Sequence, residues 1–232
     1  MDNILVANET VEECRLKEKR LEIVKVDYEK AYDLVSWDFL YFMMAKFGFC
    51  DRWIGWIKES LESSSMSILV NGSPTKEFVP SRGLRQGDPM TLFLLFIAVE
   101  GLIWLVRQAT EKNLYCGVEV GIHETKVGLL QFADNILFMC GASTQNIRVV
   151  KAILRSFELV SRLRVNFSQT KVGGLSLNAT LIKDFTTILN YNYLKIPFVY
   201  LGVTIGGIRG ENNYGSLWLI KLEANYLDGK TN

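Results

Sequence analysis

Two aspartates follow apolar segments of the chain and could together bind a metal ion. Asp27 comes directly after the apolar run LEIVKV, and Asp134 lies between two apolar runs in the segment QFADN. Such runs predict β-strands, and if the two strands are neighbours in one sheet, the carboxylates converge. Because opposed carboxylates repel each other, a divalent cation that prefers oxygen ligands, such as Mg²⁺, would stabilise the pair. Two such ions, about 3.5 to 4 Å apart, would support phosphoryl transfer.

The same aspartates also have an ordinary structural interpretation. Asp134 and Asn135 form a good turn pair, because both side chains tolerate a left-handed backbone. Asp27 would then be no more than the residue that ends a strand. Spacing alone leaves both the metal site and the plain turn open.

A second candidate site lies in the segment SRGLRQGDPM. Asp88 followed by Pro89 predicts the start of a helix, since an N-cap acceptor precedes proline at the first helical position. Gly83 and Gly87 would let the backbone approach a ligand closely, and Arg85 adds positive charge near a helix N-terminus that already favours anions. A nucleotide or a backbone phosphate would fit there, and a simple turn is the alternative.

Five motifs then occur in one order along the chain, namely VDYEKAYD, RGLRQGDP, QFADN, VNFSQTK and PFVYLGV. In this order and at these separations they resemble the palm motifs of the reverse transcriptases of LINE-type (non-LTR) retrotransposons, particularly those of plant genomes. The resemblance extends from about Asn3 to Gly207. It implies an α+β polymerase palm with partial fingers, and synthesis of DNA from deoxynucleoside triphosphates on an RNA template and a DNA primer.

The resemblance assigns the catalytic centre to three residues. Asp27 and Asp134 would hold two Mg²⁺ ions, for which Mn²⁺ is an alternative, and Asn135 would complete the centre. The family normally has a second aspartate at the position of Asn135, so this chain has two carboxylates where its relatives have three. An amide offers a neutral oxygen and no charge, so metal affinity should fall.

The resemblance also assigns the contacts with substrate. The backbone of Tyr28 would lie near the triphosphate, and Tyr32 would be the aromatic gate that excludes a 2′-hydroxyl. Further nucleotide contacts would come from Arg85, Gln86 and Gly87, and a primer-gripping hairpin would carry Tyr200, Leu201 and Gly202.

One further departure concerns proton transfer to the leaving pyrophosphate. The family usually places a lysine at the position of Gln169, and glutamine cannot act as a general acid. Lys171 would project to the same face if both residues lay in one strand, and is therefore a candidate substitute. With Asn135, this change predicts weak or absent polymerase activity. The alternative function is a non-catalytic retrotransposon relic with at most weak nucleic-acid binding.

Composition and pattern describe the scaffold that must position these residues. The 232 residues are 49% hydrophobic and 22% charged, which excludes disorder. Strands and helices are mixed without strict βαβ alternation, which predicts an α+β fold with an antiparallel sheet backed by helices. Helices are predicted over 3–20, 37–47, 52–61, 89–108, 145–163 and 179–189. Strands are predicted over 21–26, 67–70, 76–79, 127–132, 136–140, 171–177 and 198–205.

The most apolar run, 90–106, is predicted to be a buried core helix. Glu100 and Gly101 lie in its middle, and a charge there is costly in lipid, so no membrane association is expected. Its apolar residues recur at helical spacing and define the face expected to be buried: Leu92, Leu95, Phe96, Val99, Leu102, Ile103 and Val106.

Charge and cysteine content bound the partners and the compartment. The net charge is +1, so any phosphate binding must come from a local patch, such as the cationic face of helix 145–163 with Arg148, Lys151, Arg155 and Arg162. Such a face is otherwise ordinary solvated surface. Four separated cysteines and one histidine argue against a zinc site and for a reducing compartment.

The ends of the chain carry two further expectations. The first residues are acidic where a secretory signal would need a basic region and an apolar core, which predicts an intracellular protein of the nucleus or cytoplasm that is not secreted. The resemblance implies that residues 1–210 form the palm and partial fingers. Residues 211–232 would be a degenerate tail toward a thumb that is lacking.

Overall fold

The computed structural model describes residues 2–207 except residue 123, so the predicted tail 211–232 lies outside the described residues. The helices are α1 (Asp2–Leu16), α2 (Ala31–Leu34), α3 (Trp37–Lys46), α4 (Asp51–Glu62), α5 (Pro89–Glu111), α6 (Thr144–Ser161) and α7 (Ala179–Leu189). The strands are β1 (Leu21–Val26), β2 (Tyr28–Glu29), β3 (Leu69–Val70), β4 (Ser73–Pro74), β5 (Val118–Val120), β6 (Thr125–Val127), β7 (Leu129–Phe132), β8 (Asn135–Gly141), β9 (Arg164–Val165), β10 (Lys171–Leu175), β11 (Asn192–Leu194), β12 (Phe198–Tyr200) and β13 (Val203–Ile205).

A five-stranded sheet in the order β11-β10-β1-β8-β7 forms the centre of the fold. All neighbouring pairs are antiparallel except β10 and β11, which are parallel. The predicted α+β class, with an antiparallel sheet backed by helices, is therefore confirmed. The parallel strand β11 at the edge of the sheet was not predicted.

Both faces of this sheet are covered, so its central strand β1 is buried on each side. Val24 and Val26 of β1 belong to the larger core, which they share with buried residues of α3, α5 and α6. Ile23, on the opposite face, belongs to a second core with residues of α1, β12 and β13. Successive residues of a strand point to opposite faces, so β1 must satisfy both cores at once.

Helix α5 begins as its sequence predicts. The side chain of Asp88 accepts a hydrogen bond from the backbone N–H of Met90 at 2.8 Å, and Pro89 occupies the first turn. The helix packs against α3 and α6, and Gly101 lies at this contact, where a Cβ would be 2.8 Å from the ring of Phe39.

The predicted buried face of α5 is correct in part. Leu95, Val99 and Leu102 are buried, but Leu92 and Phe96 are 46% and 39% exposed. The prediction was wrong for these two because almost every side of this helix is apolar, and periodicity cannot then choose among the sides.

Helix α5 is also the one described segment that is long and apolar enough to span a membrane. Its 23 residues include a window of mean hydropathy 2.1, half of which is buried inside the protein. A core helix passes the same test of length and composition, and the packing of α5 on α3 and α6 favours that interpretation.

Two hairpin turns require a left-handed backbone. Asn71 and Gly72 join β3 to β4 with φ of 51° and 82°, and the sequence predicts this turn. The second strand was predicted over 76–79, but it is Ser73–Pro74, directly after the turn. The predicted single strand 198–205 is instead the antiparallel pair β12 and β13, joined at Leu201 and Gly202 with φ of 51° and 79°. The apolar pattern concealed this break, because only Gly202 signals a turn.

Candidate active site

The structure brings Asp27 and Asp134 to the same edge of the sheet. In the antiparallel pair of β1 and β8, Val26 lies opposite Ile136, so the C-terminal end of β1 meets the N-terminal end of β8. Asp27 is the next residue after β1, and Asp134 lies in the turn just before β8. Burial raises the pKa of Asp27, the nearby charge of Asp134 raises it further, and Lys25 opposes both effects.

The turn that carries Asp134 has only two residues, because β8 begins at Asn135 and pairs it with Phe132. Ala133 adopts a left-handed φ of 52° in this turn. The side-chain amide of Asn135 donates a hydrogen bond to Oδ1 of Asp134 at 3.1 Å. One carboxylate oxygen is therefore engaged by a neutral donor, at the position to which the resemblance assigns a second aspartate.

The donor set has the chemistry that a hard divalent ion such as Mg²⁺ requires. Two carboxylates, Asp27 and Asp134, and the amide oxygen of Asn135 are oxygen ligands of the kind Mg²⁺ accepts alongside water and phosphate. Within residues 2–207 other than residue 123, no group of three or more His, Cys, Asp or Glu side chains is arranged to hold a metal. The centre therefore carries less negative charge than a three-carboxylate site.

The VNFSQTK segment is bonded directly to the backbone of Asp27. The N–H of Asn166 donates to the carbonyl oxygen of Asp27 at 2.8 Å, and the N–H of Asp27 donates to Oγ1 of the fully buried Thr170 at 3.2 Å. Sequence reasoning missed both residues. The sequence did contain a signal, because asparagine favours Asx turns. In the structure the Asn166 side chain forms such a turn by accepting a hydrogen bond from the N–H of Ser168.

The general-acid prediction rested on a geometry that the chain does not have. Gln169 lies in the turn held by Asn166, and β10 begins only at Lys171. Alternation along a strand therefore does not relate the two residues. Lys171 is exposed and lies directly opposite Lys25 in the sheet. Its role as a general acid stays a prediction.

The RGLRQGDP segment packs against the short helix α2. The N–H of Leu84 donates to the carbonyl of Tyr32 at 2.6 Å, and the indole N–H of Trp37 donates to the carbonyl of Gly83 at 2.7 Å. Gly83 has a φ of 87°, and a Cβ there would lie 2.6 Å from the carbonyl oxygen of Asp33. Only glycine permits this approach, which sets Tyr32 beside the motif.

The three predicted nucleotide contacts of this motif face solvent. Arg85, Gln86 and Gly87 are exposed, and the space beside the α-carbon of Gly87 is open. The carbonyl of Arg85 accepts a hydrogen bond from the hydroxyl of Thr91, which fixes the loop to the first turn of α5. The loop is thus held in place while its outer atoms stay free for a ligand.

The two tyrosines of the first motif lie in different environments. Tyr28 is buried with its ring centroid 6.1 Å from that of Phe157, and its backbone pairs with Val165 between β2 and β9. Its side chain belongs to the core, so only its backbone is available for the predicted role. Tyr32 is half-buried against the larger core. Its role as a gate stays a prediction.

The predicted primer hairpin is bonded to both strands that carry the carboxylates. The hydroxyl of the buried Tyr200 donates to the carbonyl of Asn135 at 3.3 Å. The ammonium of Lys25 donates to the carbonyl of Val199 at 3.2 Å. Sequence reasoning did not identify Lys25, which links β1 to the hairpin of Leu201 and Gly202.

Comparison with known proteins identifies the family. Residues 2–205 match the reverse transcriptase (RNA-dependent DNA polymerase) family. The chain is 26% identical over 96% of its length to a Pol polyprotein of the R2 retrotransposable element of Popillia japonica, and 24% identical over 79% to a protein of the transposon TX1 of Xenopus laevis. It spans 32% and 13% of these two relatives. An uncharacterized mitochondrial protein of Arabidopsis thaliana is 39% identical over 29% of the chain. This matched part covers 56% of the Arabidopsis protein.

Solved structures with the same fold include two telomerases. The telomerase of Candida tropicalis gives a TM-score of 0.55 at 17% identity, with 77% of this chain and 35% of that chain covered. The telomerase of Candida albicans, in complex with a fragment of telomeric RNA, gives 0.53 at 12% identity, with 88% and 32% covered. At this identity the likeness concerns the fold alone, which is the polymerase palm. The chain therefore belongs to the reverse transcriptase family, with homologues in non-LTR retrotransposons.

Proposed function

We propose that this chain is the palm and partial fingers of a plant non-LTR retrotransposon reverse transcriptase, and that its own polymerase activity is weak. The observation that supports this most directly is that Asp27 and Asp134 lie at one sheet edge, where the charge of Asp134 helps raise the pKa of Asp27. The QFADN turn, the VNFSQTK segment and the β12–β13 hairpin all bond to this edge. Together they form a scaffold suited to nucleotidyl transfer.

Each part of the site has a proposed role. Asp27 and Asp134 would bind Mg²⁺ or Mn²⁺ through carboxylate oxygens, with the amide oxygen of Asn135 as a neutral ligand. The metal would supply positive charge against the phosphates of a deoxynucleoside triphosphate. Tyr32 would exclude ribonucleotides, and the exposed Arg85 loop would contact the phosphates.

The primer end would be held by the β12–β13 hairpin. Tyr200 and Lys25 bond this hairpin to β8 and β1, so its position relative to the carboxylates is fixed. The turn at Leu201 and Gly202 would contact the primer backbone. An RNA template and a DNA primer are the proposed partners, which the RNA-bound telomerase neighbour supports by fold alone.

Weak activity follows from two residues. Asn135 removes one negative charge from the metal site, and its amide occupies Oδ1 of Asp134. Gln169 cannot donate a proton to a leaving pyrophosphate. General acid catalysis typically contributes 10²- to 10⁴-fold to a reaction rate. We therefore expect Gln169 alone to lower the rate of primer extension greatly.

The test is extension of a DNA primer on an RNA template with Mg²⁺ or Mn²⁺. We expect the unmodified chain to extend at or near background and Asn135→Asp alone to recover little. Asn135→Asp with Gln169→Lys should exceed either single variant, and adding Asp134→Asn to that pair should return it to background. Robust extension by the unmodified chain, or by the triple variant, would contradict the proposal.

The remaining expectations concern source and location. A plant origin is supported by the match to the Arabidopsis protein, which covers 29% of the chain. We propose an intracellular site of action, in the nucleus or the cytoplasm. Microscopy of a fluorescent fusion would test this, and accumulation in the secretory pathway would contradict it.

The second candidate function is a relic that binds nucleic acid without catalysis. It is favoured by the hydrogen bond of Asn135 to Asp134, which stabilises the two side chains without any metal. The two functions differ in divalent-ion binding. Mn²⁺ binding that depends on Asp27 and Asp134 supports the polymerase site, and its absence supports the relic.

A further inference from the structure

The positive charge of this chain is concentrated in one stretch. Between residues 144 and 195, eight lysines and arginines occur against two acidic residues, in a chain whose net charge is only +1. The stretch comprises α6, β9, β10, α7 and β11. All eight cations are exposed, whereas Glu158 is half-buried and only Asp184 is an exposed acid. The rest of the chain is therefore net acidic, and this stretch is where a polyanion would be attracted.

Aromatic rings lie among these cations. The guanidinium of Arg155 lies 5.6 Å from the ring centroid of Phe167, and Phe167 lies 5.6 Å from the ring of Tyr191. Phe167 is 42% exposed, and Tyr193, two residues after Tyr191, is 46% exposed. Neither Phe167 nor Tyr193 belongs to either hydrophobic core, and each exposes a large part of its ring to solvent.

The cations of this region are held in place by the fold. Glu158 accepts hydrogen bonds from the Arg155 guanidinium at 3.0 Å and from the N–H of Val165 at 2.7 Å. The ammonium of Lys151 donates to the carbonyl of Ile188 at the end of α7, at 2.6 Å. Less side-chain entropy is lost on binding when groups are positioned in advance.

We infer that the surface formed by Lys151, Arg155, Phe167, Tyr191 and Tyr193 binds single-stranded nucleic acid outside the polymerase site. Exposed rings let successive bases stack whatever their sequence, and flanking cations attract the phosphates. We call these five residues the stacking surface. It shares no residue with the proposed metal, nucleotide or primer contacts, so it goes beyond the proposed function.

The experiment is fluorescence anisotropy with a labelled oligouridine RNA of about 12 nucleotides, within the usual site size, without metal or nucleotide. Phe167→Ala should raise Kd by about 5- to 100-fold, the common effect of losing one stacking contact. Phe167→Tyr keeps an aromatic ring and should bind as the unmodified chain does, and urea unfolding of Phe167→Ala checks that this variant is folded. The slope of log K against log salt is negative, and Arg155→Ala should make it less negative by about 0.7, because one phosphate contact is lost.

The chain offers a matched control in α3. Phe42 is 54% exposed with the Lys46 ammonium 5.4 Å from its ring centroid, but it lies outside the cationic stretch. Phe42→Ala should leave Kd unchanged, and equal losses from Phe42→Ala and Phe167→Ala would overturn the inference. The assay contains no metal, so RNA binding by a chain that fails to bind Mn²⁺ distinguishes a failed polymerase site from a failed stacking surface.

Two further probes separate stacking from simple charge attraction and RNA from DNA. An abasic DNA of the same length keeps the phosphates and lacks the bases, and it should bind much more weakly than oligothymidine. Equal binding of abasic and normal DNA would refute stacking. Affinities for oligouridine and oligothymidine identify the natural source, and binding of anionic lipid vesicles without binding of either oligonucleotide would overturn the inference.

Discussion

Glu22 should make this protein less stable as the pH rises toward 8. It is the second residue of β1, fully buried between Cys140 of β8 and Gly174 of β10. Neither carboxyl oxygen has a hydrogen-bond partner of normal length among the described residues. Burial raises the pKa of Glu22 to about 8, and the nearby backbone of Ser143 and thiol of Cys140 offset only part of this effect.

The magnitude follows from the difference between the folded and unfolded states. The pKa of Glu22 is about 8 when folded and 4.5 ordinarily, so at pH 7 the folded state holds a proton that the unfolded state releases. Each pH unit in this window costs about 1.4 kcal/mol of stability. The loss begins near pH 4.5, reaches about 3 kcal/mol at pH 7, and levels off above the folded pKa.

The assay is urea unfolding between pH 5 and 9 of the unmodified chain, Glu22→Gln and Glu22→Met. Glutamine does not titrate, so the stability difference from the unmodified chain should change by about 1.4 kcal/mol per pH unit up to pH 8. Methionine also removes the unpaired polar atoms and should be more stable than the unmodified chain at pH 7.5. Parallel pH curves for the unmodified chain and Glu22→Gln would refute the reasoning.

Two further predictions concern the scaffold of the active site. Gly83→Ala should destabilise the protein by several kcal/mol more than Gly87→Ala, because both residues have φ near 90° but only a Cβ at Gly83 meets a backbone carbonyl, at 2.6 Å; equal urea midpoints would contradict this. Thr170→Val should cost about 1 to 3 kcal/mol, since it leaves the N–H of Asp27 without the hydroxyl that now accepts from it. Thr170→Ser should keep most of that stability, and equal losses for valine and serine would show that the hydrogen bond does not matter.

Local patterns in the sequence predicted most of the elements. The run LEIVKV predicted β1 to the residue, and the segment 179–189 predicted α7. In the structure the side chain of Asn178 caps the start of that helix. The short pairings β2 with β9 and β5 with β6 were not predicted. Two- or three-residue strands have no periodicity of their own, and only tertiary contacts create them.

The candidate site was predictable as a set of residues but not as a set of contacts. The motifs predicted that Asp27 and Asp134 would be neighbours, and the register of β1 and β8 places them so. The hydrogen bonds of Thr170 and Tyr200 to this edge join residues far apart in the chain, and no local pattern reports such contacts. Arg162, predicted on the cationic face of α6, instead caps that helix with a left-handed φ of 65°.

The central claim is that Asp27 and Asp134 share one divalent ion, and Mn²⁺ binding followed by electron paramagnetic resonance tests it most directly. Asp27→Asn and Asp134→Asn should each abolish the bound-ion signal, and the double variant should lose no more than either single one. Asp184→Asn, at an exposed acid of α7, is the matched control and should bind as the unmodified chain does. Binding that survives either single substitution, or that falls equally with Asp184→Asn, would contradict the account.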